Sequence, residues 1–332
     1  MSFTGFRLPK ISLSLSKFLQ MRFNSFLFRF LPFSVSRCYI MVLGRLYYLL
    51  NWRDKALIQK TIEHVFRRKI PAPILKKKIK AAFKGIFDHY HEKLFVGYSN
   101  FPKLLKFLKS QVRFDGKEHL EAALKEGKGV ILVTGHFGAV EMLPGSLVMN
   151  GFPTSMICRF QTNRLRESLG WRAESIGLNL LDADTGNVIL TAMKALKAGQ
   201  ILITECDEFD EWRPDPHRDS YFLNNRLPAD RTLELLRKRS GAQVITAMVK
   251  REGNREYTCN LTPVGNGALP ANMSVSEQCL SVLEAAVEDY PEQWYQWKKF
   301  GKMVKSHFEV ENDCQEAGYL APEIAFSVPD QA

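Results

Sequence analysis

The strongest constraint on the fold lies in residues 127–149, GKGVILVTGHFGAVEMLPGSLVM. Val130, Ile131, Leu132 and Val133 make a short apolar run rich in β-branched side chains, which reads as a strand. Gly135 breaks the run, His136 sits at the turn, Gly138 follows, and a helical pattern begins at Ala139. The unit is strand, turn, helix, with Glu141 five positions after the histidine. Parallel α/β sheets carry their chemistry at the carboxyl ends of strands, so His136 is well sited. In a continuous helix, residues five apart point about 140° away from each other. His136 and Glu141 therefore meet only if the backbone is not yet helical at His136, and Gly138 allows that.

The same alternation extends through residues 112–290. Strands are expected at 112–116, 154–160, 200–206, 242–251 and 256–264, and helices at 117–127, 163–177, 187–199, 227–241 and 274–290. Strands alternating with helices of this length predict an α/β fold with a largely parallel central sheet flanked by helices. At 332 residues, 45% hydrophobic and 24% charged, the chain has the material for one principal domain with an N-terminal extension. The expected division is a basic aromatic segment at 1–52, a helical region at 53–111, the α/β domain at 112–300 and a weakly periodic tail at 301–332.

The net charge of +11 is unevenly spread, because residues 1–120 hold 24 Lys/Arg against 6 Asp/Glu. Such asymmetry calls for an anionic partner. The cations sit among Phe, Leu, Ile and Tyr, which favours a membrane surface over nucleic acid, and no nucleic-acid-binding signature is present. In residues 18–52, Arg22, Arg29, Arg37 and Arg45 interrupt an apolar block so that no charge-free run exceeds seven residues. That is far short of the roughly 20 needed to span hydrocarbon. The expectation is an amphipathic helical segment lying on an anionic membrane surface, broken at Pro32, with arginines reaching toward phosphates. Helices follow at 54–70 and 74–95, separated by Pro71 and Pro73. Lys76, Lys77, Lys78, Lys80 and Lys84 crowd one end of the second, either as a solvated face or as a docking surface for acidic head groups or an acidic carrier protein. Six cysteines without a Cys-x-x-Cys pair suggest free thiols, and no cleavable signal peptide is expected.

A carboxylate bonded to one imidazole nitrogen fixes the tautomer and raises the basicity of the other, as a general base requires. His136 and Glu141 could supply this. No Gly-x-Ser-x-Gly elbow offers a protein nucleophile, and the spacing does not match the zinc motif His-Glu-x-x-His. The nucleophile is then the substrate's own hydroxyl. Trp294 and Trp297, three apart, read as core residues on one helical face.

At this point the chain resembles the bacterial lipid A biosynthesis acyltransferases, within the glycerolipid acyltransferase superfamily marked by His-x4-Asp/Glu. The resemblance rests on GHFGAVE at 135–141, CRFQTNRL at 158–165, GQILITECDE at 199–208 and YPEQWYQWKKF at 290–300, in order along the chain. It implies transfer of a fatty acyl group, without a cofactor, from a thioester of acyl carrier protein or coenzyme A to a hydroxyl of a membrane glycolipid. It also implies a place on the cytoplasmic face of a bacterial inner membrane. By the same resemblance His136 is the base and Glu141 its orienting partner, while Arg159, Asn163 and Asp207 bind substrate. Asp207-Glu208 stands where the family usually has Asp-Gln, inside the acidic stretch ECDEFDEWRPDPHRD. That stretch leaves the acceptor open between a lipid A precursor and an aminolipid, a glycerophospholipid or another alcohol. A scaffold without activity and a thioesterase remain as other readings.

Overall fold

The computed structural model describes residues 15–304 except 161, 185, 212, 254 and 266–272. The start of the expected N-terminal segment and residues 305–332 of the expected tail therefore lie outside the described residues. Helices come first: α1 (Leu15–Leu19), α2 (Arg22–Leu27), α3 (Phe33–Leu50), α4 (Trp52–Phe66), α5 (Ala72–Tyr98) and α6 (Phe101–Gln111). The alternating part follows as β1 (Val112–Asp115), α7 (Lys117–Lys125), β2 (Val130–Thr134), α8 (Leu143–Met149), β3 (Thr154–Cys158), α9 (Asn163–Ile176) and β4 (Asn179–Asp182). It continues with α10 (Val188–Lys197), β5 (Ile201–Glu205), β6 (Pro214–Phe222), β7 (Asn225–Asp230), α11 (Thr232–Ser240), β8 (Gln243–Arg251), β9 (Tyr257–Pro263), α12 (Val275–Asp289) and α13 (Trp297–Met303).

Among the described residues seven strands form one sheet in the order β1-β9-β8-β2-β5-β3-β4, in which only the β8/β9 pairing is antiparallel. The fold is thus mixed α/β with a mostly parallel sheet flanked by helices. Every residue of β2 is buried, as a strand covered by helices on both faces must be. In the β2/β5 register Thr134 lies opposite Glu205, so the two strands end side by side. That alignment positions the site.

Three local expectations change. Residues 227–230 are strand, not helix: burial alternates along β7, and Leu223 and Asn224 at φ 50° and 61° close a tight β6/β7 hairpin of the primed type. The Asp230 carboxylate accepts from the N–H of Thr232 at 2.9 Å, so the helix starts only there. Strand β4 and helix α6 have no counterpart in the sequence reading. Trp294 and Trp297 are fully buried with rings 4.7 Å apart, but Trp294 has extended backbone and precedes α13, so they do not share one helical face.

The N-terminal helices pack against the domain through α5. Gly85 brings α5 against the carbonyl of Glu292, where a Cβ would lie 1.6 Å from the oxygen, and α13 packs on α4. Pro32 precedes α3 as its N-cap, so the expected break falls there. Arg37 does not face outward to an anion. Its guanidinium grips buried Asp88 of α5 at 2.5 and 3.0 Å. On α3, Val35, Val42, Leu46 and Leu49 form an exposed apolar stripe at helical spacing. No helix among the described residues is long and apolar enough to cross a membrane.

Candidate active site

His136 lies two residues beyond the end of β2, in a turn held by backbone contacts from two directions. Gly138 donates its N–H to Gln293 O at 2.8 Å, and Ala139 donates to Val249 O at 2.9 Å. At φ 58°, with the Val249 oxygen 1.6 Å from any Cβ, position 138 admits only glycine. Arg251, at the end of β8, donates to Gly138 O at 2.5 Å and forms a bidentate pair with buried Glu92 of α5, both bonds 2.7 Å. The turn is cross-linked to the sheet and to α5 at once. The chain is non-helical until a 3₁₀ turn at Val140–Met142, so the backbone condition for His136 to meet Glu141 is fulfilled, but the two side chains part.

The partner of the imidazole is Asp207. Its carboxylate accepts from His136 Nδ1 at 2.8 Å, from the His136 backbone N–H at 2.9 Å and from Trp294 Nε1 at 2.8 Å. Asp207 is fully buried. With its acceptor positions taken by three protein donors, it stands behind the histidine instead of at the substrate, where the sequence reading had put it. Burial works against its charge, but His136 and Trp294 outweigh that and hold its carboxyl below the usual range.

Glu141 does not touch the imidazole. It pairs with Lys93 Nζ at 3.1 Å and lies 3.6 Å from His89 Nε2, both on α5. Once the chain enters the 3₁₀ turn, the Glu141 side chain is directed toward α5, while the turn aims His136 at the end of β5. Lys93 is half-buried, which disfavours its charge, yet Glu141 raises its pKa above the usual lysine value. Among the described residues His89 has no hydrogen-bond partner on either ring nitrogen, and it stacks on Tyr295 with centroids 3.4 Å apart. Burial holds it neutral. Tyr295 in turn meets the His136 ring edge-on at 4.8 Å.

The other ring nitrogen of His136, Nε2, faces Glu208 Oε1 at 3.2 Å and Glu205 Oε2 at 3.4 Å. Burial opposes the imidazolium, but Glu205, Asp207 and Glu208 together push His136 up to about 10. Burial also pushes Glu205 up to about 7. Lys299 pairs with Glu208 and, at 2.5 Å, with Asp210. His136, Glu205 and Glu208 place one ligand atom each within 4.8 Å of the others, a donor set that suits a divalent cation. Comparison with His-Glu-x-x-His could not show this, because the ligands come from two different strand ends.

A cavity of about 1010 Å³ opens at this point. Leu108, Pro144, Met156, Leu165, Leu169 and Ile176 line its apolar part, and His136, Lys93, Glu141, Glu205, Glu208 and Tyr295 its polar part. Arg159 reaches the wall but is engaged by Asp184 at 2.9 Å and by Glu211. Asn163 is exposed at the start of α9 and does not line the cavity. The structure thus brings together His136, Asp207 and Arg159 and adds Glu205, Glu208, Lys93 and Tyr295. The signal that could have revealed Asp207 is its position two residues past β5, matching His136 two residues past β2.

A search of curated proteins gives no match. The sequence pattern described as bacterial lipid A biosynthesis acyltransferase does match, over residues 15–299. That span takes in the N-terminal helices, the sheet, the histidine turn, the Asp207 strand end and Trp294. The chain belongs to the bacterial lipid A biosynthesis acyltransferase family.

Proposed function

We propose that this acyltransferase moves a fatty acyl group from a thioester of acyl carrier protein or coenzyme A to a hydroxyl of a glycolipid such as a lipid A precursor. The observation that carries the reading is the imidazole of His136, anchored at Nδ1 by buried Asp207 and presenting Nε2 to a cavity with a long apolar wall. In the reaction Nε2 takes the proton of the acceptor hydroxyl as its oxygen attacks the thioester carbonyl carbon. The tetrahedral intermediate collapses with cleavage of the C–S bond, and the imidazolium returns the proton to the departing thiolate. Asp207 holds the tautomer and stabilises the imidazolium. Of the donors that line the cavity, Lys93 and the Tyr295 hydroxyl would serve the developing oxyanion, and burial keeps that hydroxyl protonated. The apolar wall accepts the acyl chain. No cofactor enters this scheme.

Purified protein, an acyl thioester and a lipid A precursor test the reading. Ester formation is expected with the wild type and is lost by more than ~10²-fold in His136→Ala, the typical worth of a positioned base. Thiol release without ester, equal with and without acceptor, would instead identify a thioesterase.

One observation favours a second acceptor class. Glu208 and Glu205 lie 3.2 and 3.4 Å from His136 Nε2, and carboxylates there repel a phosphate, although Lys and Arg side chains balance the acids over the cavity as a whole. An acceptor that presents an uncharged or cationic group beside His136, such as an aminolipid, fits this wall. Mass spectrometry of lipids from a deletion strain separates the two: a changed lipid A profile supports the first, and an unchanged one with a lost aminolipid species supports the second. The exposed apolar stripe of α3 beside basic residues supports attachment to the cytoplasmic face of an inner membrane.

A further inference from the structure

A second concave surface, larger than the catalytic cavity, lies among the N-terminal helices. A groove of about 1640 Å³ lies between α3, α4 and the first half of α5 and shares no lining residue with the cavity at His136. Helix α5 serves both, with Lys76 at the groove and Lys93 at the cavity. Seventeen residues at 1.5 Å rise place them roughly 25 Å apart along the helix.

Ten Lys and Arg side chains line the groove against a single acid, Glu63. Arg45, Lys60, Arg68, Lys76, Lys77 and Lys80 are among them and are all exposed. Of the ten, only Lys69 has an ion-pair partner among the described residues, Glu288. Cations held this close without counter-charges repel one another, and an anion that binds between them relieves the repulsion. Between the cations the floor is apolar, formed by Tyr48, Leu75, Ile79, Phe83 and Phe87. One rim continues into the exposed stripe of α3, where Leu46 and Leu49 are 50% and 70% exposed, followed by Leu50 at 82% and Trp52 at 64%.

We propose that this groove is a binding site for an anionic phospholipid, with the head group between the lysines and arginines and an acyl chain along the aromatic floor. Three observations favour an amphiphile over a folded acidic protein. The groove is concave and exceeds the roughly 300–1,000 Å³ typical of small-ligand sites, its floor needs hydrocarbon, and its rim joins an apolar surface that ends in an interfacial tryptophan. Basic pockets between helices at a membrane surface bind anionic head groups by the same charge arithmetic. The site is separate from the acyl-transfer reading and stands or falls without it.

The test uses the full chain and short-chain lipids below their micelle concentration, so that a bilayer is not the ligand. Dihexanoyl phosphatidylglycerol is expected to bind at least tenfold tighter than dihexanoyl phosphatidylcholine and inorganic phosphate. Lys76→Glu/Lys77→Glu/Lys80→Glu weakens it at least tenfold. Ala81→Trp, which keeps every charge and fills the groove beside its floor, weakens it as much, while His136→Ala binds as the wild type does. Thermal unfolding near the wild-type temperature certifies that each variant is folded. Equal binding of the two lipids, inorganic phosphate binding as tightly as the anionic lipid, or full affinity in Ala81→Trp overturns the proposal. So does an acidic carrier protein whose binding the groove variants abolish while lipid binding persists.

Discussion

At the scale of residues, the site turns on which carboxylate holds His136. Glu141 is close in sequence and visible in the motif, whereas Asp207 is 71 positions away. Local spacing registers only neighbours along one segment, and a contact between two strand ends depends on which strands are adjacent. Once β2 and β5 are known to pair with Thr134 opposite Glu205, the meeting of His136 and Asp207 follows from equal offsets. Asp207→Asn is expected to lower turnover by roughly 10³–10⁴-fold, the scale of removing an orienting carboxylate. Glu141→Gln, which loosens Lys93 and leaves Asp207 in place, lowers it less; steady-state rates of the two variants check the order. The three carboxylates around the imidazole also set a pH dependence. They stabilise the charged form, so His136 becomes a free base only as pH climbs toward about 10. The rate therefore rises through the alkaline range. Glu208→Gln removes a negative charge 3.2 Å from Nε2, which lowers the pKa and moves the rising limb to lower pH. A wild-type limb near the ordinary histidine value of about 6.5 contradicts this.

At the scale of elements, most helices and strands of the alternating part were legible because they carry a clear period and many end at a glycine or proline. The β6/β7 hairpin was not, since the exposed, proline-containing first half of β6 hides the alternation and its turn is Leu223-Asn224 rather than a glycine pair. The short edge strand β4 and helix α6 were also passed over. The N-terminal lysines were visible, but the groove between three helices was not, because no single helix contains it. The histidine turn depends on elements far from it in sequence. Glu92→Gln leaves Arg251 with half of a buried bidentate pair, and breaking such a pair costs ~3–5 kcal/mol. Urea unfolding of that variant measures the loss. Gly138→Ala forces an unfavourable φ against the Val249 carbonyl and costs more than ~1 kcal/mol.

At the scale of the whole molecule, a mostly parallel sheet brings two strand ends together, helix α5 braces the turn between them, and the cavity beside them has hydrocarbon on one wall and ionisable groups on the other. That division suits a reaction in which an acyl chain must be held while a hydroxyl loses its proton. The exposed stripe of α3 leads to a whole-molecule expectation: Leu46→Ser/Leu49→Ser shifts the protein from the membrane to the supernatant fraction while leaving turnover of dispersed substrate intact. The central claim is that His136 and Asp207 together drive acyl transfer. It is tested most directly by counting ester product by mass spectrometry for wild type, His136→Ala and Asp207→Asn, with the same thioester and acceptor. The expected result is product from the wild type alone at comparable enzyme and time. Undiminished product from either variant contradicts it.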